Sequence, residues 1–235
     1  MSNVYRPGWR TQPWIVWLLA GAFIAAYALF AMQPDTVQNQ LVYTFAVIPV
    51  RFDAQSPDHF AAWYEALLPF FGHVFLHGGW LHVGVNTLVF MQGAPFVAWR
   101  MGTGRFLLLF FLSAIGSAAG FILLNLHDQT PAVGASGAIC GVFAAYFLSV
   151  RNSWREALGD PQVRNAAIMF LVINVGLAGV ASASGVLPIA WQAHLGGFIA
   201  GGLSYLAFGP RPYVGPWSQV RARSVQDDGP RLGGP

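Results

Sequence analysis

Ser136, in the run Gly134-Ala135-Ser136-Gly137, opens one apolar stretch of the chain, and His194 lies inside another. A serine hydroxyl attacks a carbonyl only when a base takes its proton, and a neutral histidine in a partly apolar setting is such a base at physiological pH. The reaction that suits this pair is acyl transfer, whose tetrahedral oxyanion needs hydrogen-bond donors fixed in advance. Three donors are available: the Ser136 N–H at a helix N-terminus, the side-chain amide of Asn86 and a ring N–H of His82. His82 and Asn86 are four residues apart, so on a helix they share one face.

The elements that must carry these groups are membrane helices. The chain is 55% hydrophobic, 15% aromatic and 9% charged, whereas a soluble domain carries about a quarter charged residues. Six segments, at 13–32, 79–99, 105–125, 134–150, 165–183 and 189–208, approach the ~20 apolar residues that cross ~30 Å of hydrocarbon. The expected fold is an all-α membrane protein, one bundle of six transmembrane helices over residues 13–208. The first stretch follows Arg6 and Arg10 as a signal peptide would, but it is too long for a signal core and more spans follow; it reads as a retained anchor.

Every basic residue is an arginine, and only Arg51 falls opposite the other eleven when the chain weaves through six spans. The positive-inside rule then puts both termini in the cytoplasm. The net charge of +3 reports this topology, and nucleic-acid binding is not expected. Residues 1–12 read as a cytoplasmic N-terminal segment and 209–235, rich in Gly, Pro, Arg and Asp, as a disordered cytoplasmic tail. The connection at 33–78 is the longest, on the outer side, and its apolar pieces around Pro49, Pro57 and Pro69 lie in the interface plane or against the bundle. The single cysteine, Cys140, excludes an internal disulfide.

Helical rise brings the polar residues to one depth. Counted upward from Arg151, Arg211 and Arg100, Ser136 stands about 22 Å above the cytoplasmic boundary, His194 about 25 Å, and His82 and Asn86 about 27 and 21 Å. The segment of Ser136 is too short to reach the far surface, so residues 127–135 must dip inward, and irregular backbone at that depth is tolerated only in a protein interior or beside water. A recessed wet cavity follows. Gly137 and Gly141 in one helix, and Gly197 and Gly201 in another, form small-xxx-small pairs that let backbones approach. The seam they make would carry serine and histidine into reach of each other.

Alone, Gly and Ser in a membrane helix are ordinary helix-packing residues. The depth match with His194 changes the reading, because burying an ionisable group in lipid is costly and such groups usually face the bundle or a water path. His82 and Asn86 have interhelical hydrogen bonding as their alternative. His77 reads as a support residue near the mouth of the site, where hydration is cheap; His73 stays open, and His59 and His127 read as solvated loop residues. Metal binding by His73, His77 and His82 is not expected, since no Asp, Glu or Cys shares their level and the spacing fits no zinc motif.

From His73 to about Gly201 the chain resembles the rhomboid family of intramembrane serine proteases. The resemblance rests on the ordered series His77, His82 and Asn86, on Arg100 and Gly102, on the Gly134-Ala135-Ser136-Gly137 motif, and on Ala193-His194 followed by Gly197 and Gly201. It implies a rhomboid-like six-helix bundle of the minimal bacterial form, in the plasma membrane with its site opening outward. It also implies a Ser136–His194 dyad, an oxyanion hole from His82, Asn86 and the Ser136 amide, and cleavage of single-span membrane proteins within the bilayer without a cofactor. The family's aromatic residue four positions after the serine is Cys140 here, so His194 must be oriented otherwise. The Trp-Arg pair common in the first outer loop is Leu68-Pro69, and the glutamate near the end of the second span is Ala98. A rhomboid-like pseudoprotease that binds transmembrane helices is the alternative, although such relatives usually lack the serine or the histidine. A channel or transporter would want inverted repeats or a charged midplane path.

Overall fold

The computed structural model describes residues 13–184 and 189–209. The segment 1–12 and all of the expected tail beyond Gly209 lie outside the described residues. In chain order the helices are α1 Trp14–Ala31, α2 Asp35–Phe45, α3 Leu68–Gly72, α4 Trp80–Met101, α5 Thr103–Leu124, α6 Ser136–Ser149, α7 Trp154–Gly159, α8 Pro161–Leu171, α9 Ala178–Ala183 and α10 Trp191–Phe208. A π-helical segment, Val172–Leu177, joins α8 to α9 without a break. Each of the six apolar stretches therefore holds a helix. Four of these are long and apolar enough to cross a membrane: α1, α4, α5 and the continuous 161–183 helix. The other two are α6, with 14 residues, and α10, with 18.

Local sequence sets the breaks. Gly102 separates α4 from α5 at φ +78°, a left-handed conformation that a side chain disfavours, so the chain reverses with one residue. At the arginine-rich end, Ser153 Oγ accepts the Glu156 N–H (3.2 Å) and Asp160 Oδ1 accepts the Gln162 N–H (2.8 Å), capping α7 and α8. Arg151 closes the same corner with a hydrogen bond from its Nε to Asp160 Oδ2 (2.7 Å), and this pairing holds the partly exposed Asp160 carboxyl below its ordinary pKa.

The centre of the bundle is α10, flanked by α5 and α6. Backbone meets backbone there because side chains are missing. A Cβ added to Gly197 would lie 2.0 Å from the Gly137 carbonyl oxygen, and one on Gly201 2.3 Å from Gly141 Cα. On the α5 side a Cβ on Gly196 would lie 2.3 Å from the Gly116 oxygen. Ser113 and Ser117 of α5 fill the space against Gly141 and Gly137. Away from this seam the core is aromatic: Phe23, Phe90, Phe106 and Phe110 are fully buried between α1, α4 and α5.

The 33–78 connection divides between surface and bundle. Helix α2 buries no residue, and Trp63 is 78% exposed. Farther along, Val47 and Ala132 exchange two backbone hydrogen bonds (3.0 and 2.9 Å), and Val50 N donates to the Asp128 carbonyl (3.0 Å), so the connection is laced to the 125–135 loop. Leu68-Pro69 provides no cation here, and the buried Arg51 anchors the region instead. Its guanidinium sits 3.8 Å from the Tyr43 ring and 3.9 Å from that of Phe60, and donates to the Tyr43 carbonyl. Cation–π contacts and a charged donor together contribute on the order of 2–3 kcal/mol. Arg51→Ala should therefore lower the melting temperature in detergent, and Arg51→Lys should not restore it, since an ammonium lacks the plane that stacks between two rings. Equal stability of the Arg, Lys and Ala proteins would refute the anchor.

Candidate active site

Ser136 is the first of the 14 residues of α6, which ends at the arginine-rich side. At ~1.5 Å per residue the helix is about 21 Å long, short of the ~30 Å hydrocarbon core. The irregular 125–135 loop makes up the difference. Its last turn is fixed by Gly134, at φ +111°, whose N–H donates to the His73 carbonyl (2.8 Å).

Across the glycine seam, His194 of α10 meets Ser136: Nε2 lies 2.9 Å from Ser136 Oγ. His194 is 9% exposed, and its other ring nitrogen, Nδ1, lies 2.8 Å from the main-chain oxygen of Asn174. A carbonyl only accepts, so Nδ1 carries the proton and Nε2 is free to accept one from the serine. That is the protonation pattern of a general base poised on a nucleophile.

His82 and Asn86 stand together on α4 and face the turn that delivers the serine. A Cβ placed on Gly134 would be 2.8 Å from His82 Nε2 and 3.2 Å from Asn86 Nδ2, so any residue but glycine would fill the space in front of both donors. The Gly78 N–H donates to His82 Nδ1 (3.3 Å), which makes Nδ1 the acceptor and leaves Nε2–H as the donor of the neutral ring. Asn86 is 5% exposed and its Nδ2 has no protein acceptor. The first N–H groups of α6 lack intrahelical partners, as at any helix start. Donors from α4 thus face the turn that ends two residues before Ser136, where the free N–H groups of α6 begin.

A cavity of about 20 Å³ adjoins Ser136, lined by His73, Ser117, Gly134, Gly137, Val47 and Ala193 among others. About 10–15 Å³ suffices for one water, which needs two or more polar partners. Ser136, Ser117 and the buried Nε2 of His73 provide them. Ser117 carries no signal in the sequence, being one more serine in a small-residue helix.

The expected place of His77 near a hydrated mouth of the site is not what the structure shows, and His73, left open by the sequence, is buried with it. His77 is 2% exposed, wedged among the rings of Phe23, Tyr27 and His82, and His73 is 3% exposed with Nδ1 donating to the Pro69 carbonyl (2.6 Å). The loop folds back onto α1 and takes both rings inside. Burial pushes the His73 pKa down to about 4 against the opposing Pro69 carbonyl, and burial with the neighbouring His82 does the same for His77. The folded state then binds fewer protons than the unfolded state between about pH 4 and 6.5, so stability falls as pH drops through that window. Thermal melts from pH 7.5 to 4.5 should show this decline, and His77→Phe should flatten it. A melting temperature independent of pH in the wild type would contradict buried neutral rings. His59 is exposed and His127 reaches Asp53 (3.2 Å) at the surface. Among the described residues no group of three His, Cys, Asp or Glu side chains is placed to hold a metal.

Comparison with known proteins agrees with this architecture. The family model of the Rhomboid domain matches residues 63–211. The rhomboid protease GluP of Bacillus subtilis is 32% identical over 202 residues, 84% of this chain and 35% of its own length. Rhomboid-type serine protease 2 of Emericella nidulans is 31% identical over 63% of this chain and 27% of its own. RHOMBOID-like protein 5 of Arabidopsis thaliana is 28% identical over 54% of this chain and 40% of its own. The chain spans about a third of the length of these curated relatives.

Proposed function

Because this chain belongs to the rhomboid family of integral membrane proteins, we propose that it is an intramembrane serine endopeptidase that cleaves transmembrane segments with Ser136 and His194. The observation that carries the proposal is the 2.9 Å contact between Ser136 Oγ and His194 Nε2, made between two helices inside an apolar bundle. In this reading all six apolar helices are spans of one domain over 13–208. Both termini face the cytoplasm of a bacterial cell, and the site opens outward. The lipid bilayer delivers single-span substrates, and no metal or nucleic acid takes part.

The chemistry runs in two halves. His194 Nε2 takes the Ser136 proton as Oγ attacks the scissile carbonyl, and the resulting imidazolium returns that proton to the departing amine. The oxyanion accepts from Asn86 Nδ2, His82 Nε2–H and the Ser136 N–H. A water from the cavity beside Ser117 and His73 then attacks the acyl-enzyme with His194 again as base. Gly137, Gly197 and Gly201 hold the two helices close enough for the pair to meet, Gly134 leaves room in front of His82 and Asn86, and His77 supports His82 by ring contact.

The proposal is tested by reconstituting the protein in liposomes with a single-span substrate carrying a label at each end. Cleavage by the wild type and none by Ser136→Ala supports it. Stable capture of uncleaved substrate by both proteins alike would instead favour the helix-binding pseudoprotease. The oxyanion assignment has its own expected result: Asn86→Ala and His82→Ala should each lower kcat by about 10²–10³ with KM and melting temperature nearly unchanged, because the interaction strengthens only as charge develops. Strong destabilisation with near-normal turnover would make them helix-packing residues.

A further inference from the structure

Cys140 places no ring against His194, and among the described residues no aromatic side chain stacks on it; the imidazole is held by a main-chain atom. That atom, the Asn174 carbonyl oxygen, belongs to the π-helical segment Val172–Leu177 in the middle of the 161–183 helix. Isolated π-turns inside α-helices are rare and concentrate at functional sites. An i→i+5 register widens the turn and tips carbonyls away from the helix axis, which lets one of them accept from outside.

The sequence gives the π-turn a local cause. Asn174 Nδ2 donates to the Phe170 carbonyl, four residues back, at 2.9 Å. In an α-helix that carbonyl belongs to the Asn174 N–H, so the side chain competes with the backbone for it. Val172, Ile173 and Val175 add β-branched crowding and Gly176 a weak point, all within the same turn. One residue therefore does two things: its side chain unsettles the α register, and its carbonyl meets His194 Nδ1.

We propose that Asn174 is the positioning residue of the proposed dyad: its back-bonded side chain maintains the π-turn, and its main-chain carbonyl fixes His194 as the Nδ1–H tautomer in the orientation that aims Nε2 at Ser136. The role is the one a carboxylate fills in a three-residue relay, filled here by a neutral acceptor on a neighbouring helix. The inference rests on the serine-protease reading for its effect on rate. The hydrogen bond itself can be observed whether or not the protein is an enzyme.

Two kinds of variant test it. Incorporating an α-hydroxy acid at Val175 turns the 174–175 peptide into an ester and weakens the Asn174 carbonyl as an acceptor; the same change at Ile173 is the control. Proton and nitrogen NMR of histidine-labelled protein, with His194 assigned by loss of its signals in His194→Gln, should show the Nδ1–H resonance moving upfield in the first ester and not in the second. Turnover and the rate of fluorophosphonate labelling at Ser136 should fall about three- to tenfold in the first ester, the span of one modest hydrogen bond, with KM unchanged. By ordinary mutagenesis, Asn174→Leu should lower kcat without changing KM. Asn174→Ser, whose hydroxyl can also bond four residues back, should recover much of the loss. An Nδ1–H resonance unmoved by the 174–175 ester, or an Asn174→Ser protein no better than Asn174→Leu, would overturn the inference. A wild type without Ser136-dependent labelling or cleavage, but with the NMR shift present, would instead retain the His194–Asn174 bond and remove the protease reading.

Discussion

Ser136→Ala and His194→Ala should each lower cleavage of a transmembrane substrate by about 10⁴–10⁶-fold, and the double variant should be no worse than either single one. The expectation follows from the shared proton: with Nε2 accepting from Oγ at 2.9 Å, either residue without the other is a spectator. Additive losses would mean two independent effects, and simple burial would predict those. Fluorophosphonate labelling should vanish in both variants, while the melting temperature of Ser136→Ala stays near that of the wild type. The Ser136 hydroxyl borders a cavity, so removing it costs little in core contacts. Robust cleavage by the Ser136→Ala protein would end the proposed mechanism.

The second large effect is expected from methyl groups. Gly197→Ala and Gly201→Ala each introduce one carbon at a position where backbone atoms of α6 already lie 2.0–2.4 Å away. No side chain stands there to rotate aside, so α6 and α10 must separate. Overpacking of this kind typically costs about 1–3 kcal/mol and occasionally more. The same displacement pulls Nε2 away from Oγ, so activity and melting temperature should fall together in both variants. Gly21→Ala, whose added carbon meets nothing within 4 Å, is the matched control and should leave both unchanged. If Gly197→Ala melts and cleaves as the wild type does, the close seam does not exist. Loss of cleavage with normal melting would place the glycine's importance in the chemistry alone.

The approach of Ser136 to His194 was legible because helical rise is constant, so counting residues up from the arginines puts both groups at one level. The small-xxx-small spacing added which helices touch. Less of the loop could be read. Arg51 looked like a stray charge on the wrong side of the membrane, since only the folded chain brings Tyr43 and Phe60 to its two faces. The burial of His73 and His77 could not be read for a similar reason: periodicity gives the face of a helix, but no periodicity marks where an irregular connection turns back on the bundle. The Asn174 contact lay farthest out of reach. A carbonyl has no residue type, and an asparagine in an apolar helix looks the same whether it reaches a neighbouring helix or its own preceding turn.

Helix α10 has a further meaning in the order in which the chain is made. Ser136 leaves the ribosome before His194, and until α10 docks between α5 and α6 the serine has neither its base nor the glycine surface that closes the seam. Polypeptides grow at about 5–20 residues per second, so a nascent chain that carries Ser136 waits about 3–12 seconds for the 58 residues that bring His194. Throughout that interval it is surrounded by the exposed spans of other proteins. Under the proposed chemistry it is harmless to them, since α10, made after the serine, is the helix that arms it.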